Sequence, residues 1–115
     1  MRTARHSHQL LRDLGADGFN ESRQGVMMSG YTLDRDVSVI IHAEAIRAAF
    51  PKNNSVPKCV SFVERNLDAF RGLVNGKLTS GNTEDFGSVG RQRRAGYLVE
   101  IDVADLVRSR RWLTP

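Results

Sequence analysis

The feature that most constrains the fold is a change of hydrophobic period between residues 37 and 50. The first apolar residues alternate, as on one face of a strand: Val37, Val39 and Ile41. The next ones recur as on one face of a helix: Ala45, Ile46, Ala49 and Phe50. A strand that continues directly into a helix, with His42 at the junction, predicts a fold that mixes α and β elements.

Two further segments, 26–33 and 97–102, also have the pattern of strands. Residues 26–33 and 37–42 are both compatible with β structure, and the short polar segment 34–36 between them favours a β-hairpin. Residues 97–102 predict a later strand, in which Tyr97, Val99 and Ile101 share one face: the segment reads YLVEID.

The strongest helical period lies in residues 58–78. Apolar residues three or four apart form a single face: Val60, Val63, Leu67, Phe70, Val74 and Leu78. This spacing predicts one long amphipathic helix, and Pro57 suits its first turn. A last helix is predicted over 103–113, where Asp102 and Asp105 have the spacing of a capping box.

The first 24 residues predict an N-terminal extension. Three leucines stand at helical spacing: Leu10, Leu11 and Leu14. Gly15 favours the end of a short helix, and turn-forming residues in 16–25 indicate a loop. We therefore divide the chain into a helix-and-loop extension (1–24) and an α+β domain (25–115).

The predicted fold is a small single α+β domain. Its β-hairpin and later strand form one antiparallel or mixed sheet, which packs against two or three helices and carries an N-terminal helical arm. The 115 residues suffice for one core. Apolar residues make up 40% and charged residues 26% of the chain, which is typical of a soluble globular protein rather than a disordered one.

Composition also bears on location. No apolar run approaches the ~18 residues of a membrane span, and residues 2–9 lack the apolar stretch of a secretory signal. The single cysteine, Cys59, forms no internal disulfide and is expected to be a small buried residue. We expect a cytoplasmic protein without a membrane partner.

Sequence markers along residues 25–107 form a recognisable pattern. They are Glu44-Ala45-Ile46, Phe62, Arg65-Asn66, Phe70, Lys77, Gly81 and Asp105-Leu106. In this order they resemble a family of short proteobacterial proteins defined only as a domain of unknown function. The chain departs from that pattern in the order of Arg65 and Asn66 and in a longer loop after Gly81. The resemblance implies a fold and no chemistry.

The sequence indicates no catalytic, metal or cofactor site. His42 is interpreted as a junction residue at a helix start, and its use in catalysis with a carboxylate such as Glu44 or Asp105 is the least favoured hypothesis. His6 and His8 do not share a helix face, which disfavours a metal site. The glycines in 79–96 lack the spacing of a phosphate-binding loop.

Basic residues are concentrated near the C-terminus. Residues 86–115 hold six arginines and three acidic residues. The arginines form two clusters, which together with one aromatic residue are the candidate nucleic-acid-binding residues: Arg91, Arg93, Arg94, Arg108, Arg110, Arg111 and Trp112. One surface made of both clusters would attract phosphates, and Trp112 or Tyr97 would stack on an unpaired base. The other interpretation of the arginines is a solvated, solubilising surface.

Two functional hypotheses follow. The preferred one is a binding or accessory module without catalytic activity, whose partner is a protein or a nucleic acid. The alternative is a non-specific nucleic-acid-binding protein that uses the C-terminal arginines. The formation of a homodimer stays open.

Overall fold

The computed structural model describes residues 11–33, 35–81, 84–86 and 96–115, and within them the chain forms five strands and four helices. The strands are β1 (Arg12–Asn20), β2 (Gly25–Tyr31), β3 (Asp36–His42), β4 (Glu84–Phe86) and β5 (Gly96–Ile101). The helices are α1 (Ala43–Ala49), α2 (Val56–Arg65), α3 (Leu67–Ser80) and α4 (Val103–Arg108), and a single 3-10 turn (Arg110–Trp112) follows α4. The predicted α+β class is confirmed.

The strands form one mixed sheet in the order β1-β2-β3-β5-β4. The predicted hairpin is confirmed, because β2 and β3 pair antiparallel with Met28 opposite Val39. The later strand β5 pairs parallel with β3, with Val39 opposite Val99. Since parallel strands end at the same edge of a sheet, α1 and α4 both begin at that edge.

The core lies between one face of the sheet and the helices. The alternating residues of β3 and β5 are fully or almost fully buried on this face, with Tyr97 partly buried: Val37, Val39, Ile41, Val99 and Ile101. Opposite them the ring centroids of Phe50 and Phe62 are 4.9 Å apart, and those of Phe62 and Phe70 are 6.0 Å apart. The predicted apolar faces therefore meet in one core.

The prediction of one continuous helix over 58–78 is wrong. Two helices, α2 and α3, meet at Asn66, whose φ of −119° and ψ of 23° are not helical. The Asn66 side chain donates to the carbonyl of Phe62 at 2.8 Å and also binds the backbone of Thr114. A tertiary contact thus interrupts a segment whose apolar period is otherwise continuous.

The predicted N-terminal helix and loop are wrong for residues 12–20, which form the edge strand β1 and pair antiparallel with β2. The register shifts between Arg12 and Gly15, and Leu11 and Leu14 are both buried in the core. A bulge lets two residues three apart reach the same side of a strand, which imitates helical spacing. The domain therefore includes residues 12–24, and residues 1–10 of the proposed extension lie outside the described part.

The predicted last helix is shorter than expected. Helix α4 ends at Arg108, and the 3-10 turn continues to Trp112. Its predicted capping box is confirmed, since the Asp102 carboxylate accepts from the Asp105 amide at 3.1 Å and the Asp105 carboxylate accepts from the Asp102 amide at 3.0 Å. No helix in the described ranges is both long enough and apolar enough to cross a membrane.

Candidate functional site

Arg108 belongs to an ion-pair cluster rather than to a free basic surface. Its guanidinium donates to the carboxylate of Asp105 at 2.6 Å, and Lys77 Nζ lies 3.0 Å from the other oxygen of that carboxylate. Asp105 is only 2% exposed. The three side chains, which we call the Asp105 cluster, join α3 to α4.

Arg110 and Arg111 have no carboxylate partner among the described residues. Arg110 donates to the carbonyl of Ala49 at 3.3 Å, and its guanidinium carbon lies 5.9 Å from the ring centroid of Phe50. The Arg111 guanidinium lies 5.6 Å from the centroid of the Trp112 ring. Arg91, Arg93 and Arg94 lie outside the described residues, so the predicted union of the two clusters stays a prediction.

The C-terminal segment is held firmly against α2. Leu113 is buried in the core. Asn66 makes two hydrogen bonds to the backbone of Thr114: it accepts from the Thr114 amide at 2.7 Å and donates to the Thr114 carbonyl at 2.8 Å. The amide of Trp112 donates to the carbonyl of Ser109 at 2.8 Å. The backbone is therefore fixed on both sides of the Trp112 side chain.

Three cations that the sequence reasoning missed line an open cleft of about 430 Å³ beside this segment: Lys52, Lys58 and Arg65. Asn53, Pro57, Ser61 and Pro115 complete its lining, which contains no acidic side chain. No described carboxylate lies within ion-pair distance of any of the three. The cleft therefore brings three cations together with no acidic side chain among its lining residues.

Arg65, which lines this cleft, and Arg110 each lie beside one ring of the Phe50–Phe62 pair. The Arg65 guanidinium carbon lies 5.8 Å from the Phe62 ring centroid, and Arg110 stands over the neighbouring ring, Phe50. Arg65 also donates to the Oδ1 atom of Asn53 at 3.4 Å, which orients it. We call these four side chains the basic face: Lys52, Lys58, Arg65 and Arg110.

Part of the basic face had a detectable signal in the sequence. Lys58 and Arg65 are seven residues apart, which places them on one side of α2. Lys52 joins them only because the chain turns between Pro51 and Pro57. Since the basic residues are scattered at 52, 58 and 65, no local run of charge marks them.

His42 occupies the expected junction and makes a contact that was not expected. It stands at the N-cap of α1 but makes no side-chain capping bond. Its Nε2 atom lies 3.0 Å from Glu100 Oε1, so its carboxylate partner is neither Glu44 nor Asp105. Glu100 projects from the end of β5, which is parallel to β3, and the pair lies at the edge where both strands end.

A cleft of about 330 Å³ adjoins His42 and is lined by Glu44, Ala45, Ala48, Asp102 and Val103. The lining contains no Ser, Thr or Cys, so no hydroxyl or thiol nucleophile lies beside the imidazole among these residues. Within the same residues no group of three His, Cys, Asp or Glu side chains is placed to hold a metal ion. The feature that this cleft presents is the hydrogen-bonded pair of His42 and Glu100.

Among the described residues, Cys59 and Asp102 have perturbed pKa values. Burial raises the pKa of the Cys59 thiol, which is fully buried and donates to the carbonyl of Asn53 at 3.4 Å. The prediction that Cys59 is a buried residue is confirmed. The Asp105 amide lowers the pKa of Asp102 by hydrogen bonding to its ionised carboxylate.

Comparison of the chain with protein-family models, with curated proteins and with solved structures finds no match. The resemblance to the proteobacterial family therefore stays a prediction, and the functional proposal rests on the chain itself.

Proposed function

We propose that this protein is a non-catalytic binding module that holds the phosphate backbone of nucleic acid on its basic face. The observation that supports this proposal is the open cleft of Lys52, Lys58 and Arg65, which has cations on its walls and no described carboxylate within ion-pair distance. The surface predicted from the sequence included Arg108. The proposed contact surface instead lies on residues of α2 and of the segment before it.

The physical basis is the release of counterions. Each phosphate neutralised by a Lys or Arg frees condensed cations from the nucleic acid, which favours binding at low salt. A cation already paired with a carboxylate gains less, because it first has to give up that partner. The unpaired cations of the basic face therefore contribute more to binding than Arg108 does.

The proposed binding does not depend on the base sequence of the nucleic acid. The proposed location is a reducing compartment such as the cytoplasm. Contacts to phosphate carry no base information, and the described residues present no element that resembles a groove-reading motif. The single thiol, Cys59, is fully buried, which suits a chain that uses no disulfide.

The test is a salt series with matched variants. We expect the double variant Lys58→Gln/Arg65→Gln to bind a duplex more weakly and to lower the magnitude of the log–log salt slope by about 1.8, from ~0.9 per lost phosphate contact. Its control, Arg23→Gln/Arg71→Gln, removes the same charge from the β1–β2 turn and from α3. That control should change the slope much less. Absence of binding at low salt, or equal slopes in both variants, would contradict the proposal.

A further inference from the structure

Trp112 is exposed although the residue that follows it is buried. Its side chain is 67% exposed, while Leu113, the next residue, is 6% exposed and belongs to the core. A groove of about 430 Å³ lies beside the ring and is lined by Asp68, Ala69, Gly72, Leu73 and Ser109. The exposed indole ring and the largely apolar groove beside it together leave room for a small planar ligand.

The rigidity of the segment around Trp112 lowers the cost of binding. The two hydrogen bonds between Asn66 and Thr114 and the burial of Leu113 fix the chain that carries Trp112. A tryptophan has few rotatable bonds, so little conformational entropy is lost when a flat ligand stacks on it.

The charges around Trp112 distinguish a base from a phosphate. Arg65 lines a second shallow cleft together with Trp112 and Thr114, and the same Arg65 lines the cleft of the basic face. Glu64 and Asp68 also line that second cleft, and Asp68 is 3.3 Å from Arg71. A phosphate is therefore favoured at Arg65 and at Arg111, whose guanidinium lies 5.6 Å from the Trp112 ring centroid. It is disfavoured beside Glu64 and Asp68, where a neutral base meets no charge penalty.

We infer that Trp112 is a stacking platform for an unpaired base, and that the basic face takes single-stranded rather than duplex nucleic acid. This inference rests on the proposed function, because the phosphates on either side of the base are held by Arg65 and the basic face. In a duplex both faces of each internal base are already stacked on neighbouring bases, so Trp112 gains nothing there. Stacking on an aromatic side chain is tolerant of base identity, which agrees with binding without sequence reading.

Trp112 is the single tryptophan in the chain, so its fluorescence reports directly on the contact. We expect an oligothymidine strand to quench this emission and a duplex of equal phosphate number to leave it almost unchanged. Trp112→Ala should weaken binding to the single strand by about 5- to 150-fold per stacked base and should hardly affect the duplex. Trp112→Phe should restore most of the loss, while Trp112→Leu, which is apolar without a π face, should not.

The outcomes separate this inference from the proposal on which it rests. Binding to neither nucleic acid at low salt would overturn both. Salt-dependent binding to both forms, without quenching and with equal affinities for wild type and Trp112→Ala, would overturn the role of Trp112 alone. Urea unfolding of each variant, followed by circular dichroism, should give midpoints close to that of the wild type because Trp112 is mostly exposed.

Discussion

The Asp105 cluster and the basic face contain the same kinds of side chain in opposite electrostatic situations. In the Asp105 cluster, Lys77 and Arg108 share one buried carboxylate at 3.0 and 2.6 Å. On the basic face, Lys52, Lys58 and Arg65 surround a cleft without a described carboxylate within ion-pair distance. The difference lies in the nearest counter-charge rather than in residue type.

This contrast separates stability from binding. A cation paired with a buried carboxylate contributes to folding, because its removal leaves that carboxylate without compensation. A cation exposed without such a partner contributes little to folding and is free to neutralise a ligand phosphate. The two regions should therefore respond oppositely to substitution.

The largest effect is expected for Asp105→Ala. This substitution removes the ion pairs to Lys77 and Arg108 and half of the capping box. We expect a loss of about 3 kcal/mol in the free energy of unfolding. This value is near the low end for a buried pair because the Arg108 side chain is 68% exposed. Chemical denaturation measures it. A loss below about 1 kcal/mol would show that the cluster is not structural.

The next effect tests whether a contact that contributes to stability also supports nucleic-acid binding. Asn66→Ala removes the hydrogen bonds to Phe62 and Thr114, and we expect it to cost about 2 kcal/mol of stability. It should also release the segment that carries Trp112 and weaken binding to a single strand. If single-strand affinity at a temperature well below unfolding is unchanged, the anchored platform is not needed.

A direct comparison uses one cation from each region. Arg108→Gln should cost about 1 kcal/mol of stability, since it leaves the buried carboxylate of Asp105 with one cation fewer. Lys58→Gln should cost less than about 0.5 kcal/mol. In nucleic-acid titrations the order should reverse, with Lys58→Gln the weaker binder. Equal binding by the two variants would contradict the division into two regions.

The smallest effect concerns pH and Asp102. In the folded protein the pKa of Asp102 is lowered, chiefly by the hydrogen bond from the amide of Asp105. The ionised Asp102 carboxylate therefore contributes fully to the free energy of unfolding above the unfolded pKa of about 3.9, and this contribution is lost as pH falls through the lower folded pKa. Asp102→Asn keeps an N-cap acceptor and should be nearly as stable at pH 7. The stability difference between the two proteins should shrink or change sign as pH falls from 5 towards 2, and parallel curves would contradict this.

Elements defined by local patterns were predictable. The alternation in 37–41, the matching apolar strand before it and the strand at 97–101 became β3, β2 and β5, because burial on one face of a strand requires a two-residue period. The capping box of Asp102 and Asp105 was equally local. Strand β1 was missed because its bulge brings Leu11 and Leu14 to the same side.

The candidate site was less predictable because its members are far apart in the chain. Arg110 and Trp112 were named from a local run of arginine and an aromatic residue, but Arg108 in the same run turned out to be paired. Lys52 and Arg65 join the site through a turn and a helix that carry no charge run. The carboxylate beside His42 is Glu100, 58 residues away, and it arrives through the parallel pairing of β3 and β5.

The sequence by itself determined the α+β class, the hairpin, the buried face of the sheet and the start of the last helix. Each of these depends on periodicity or on capping within a few residues. Only the tertiary structure decided where the long apolar segment breaks, which arginines are neutralised and which cations share a cleft. Those properties depend on contacts such as Asn66 with Thr114, 48 residues apart, and on Asp105 with Lys77, whose energies arise only after distant segments have packed together.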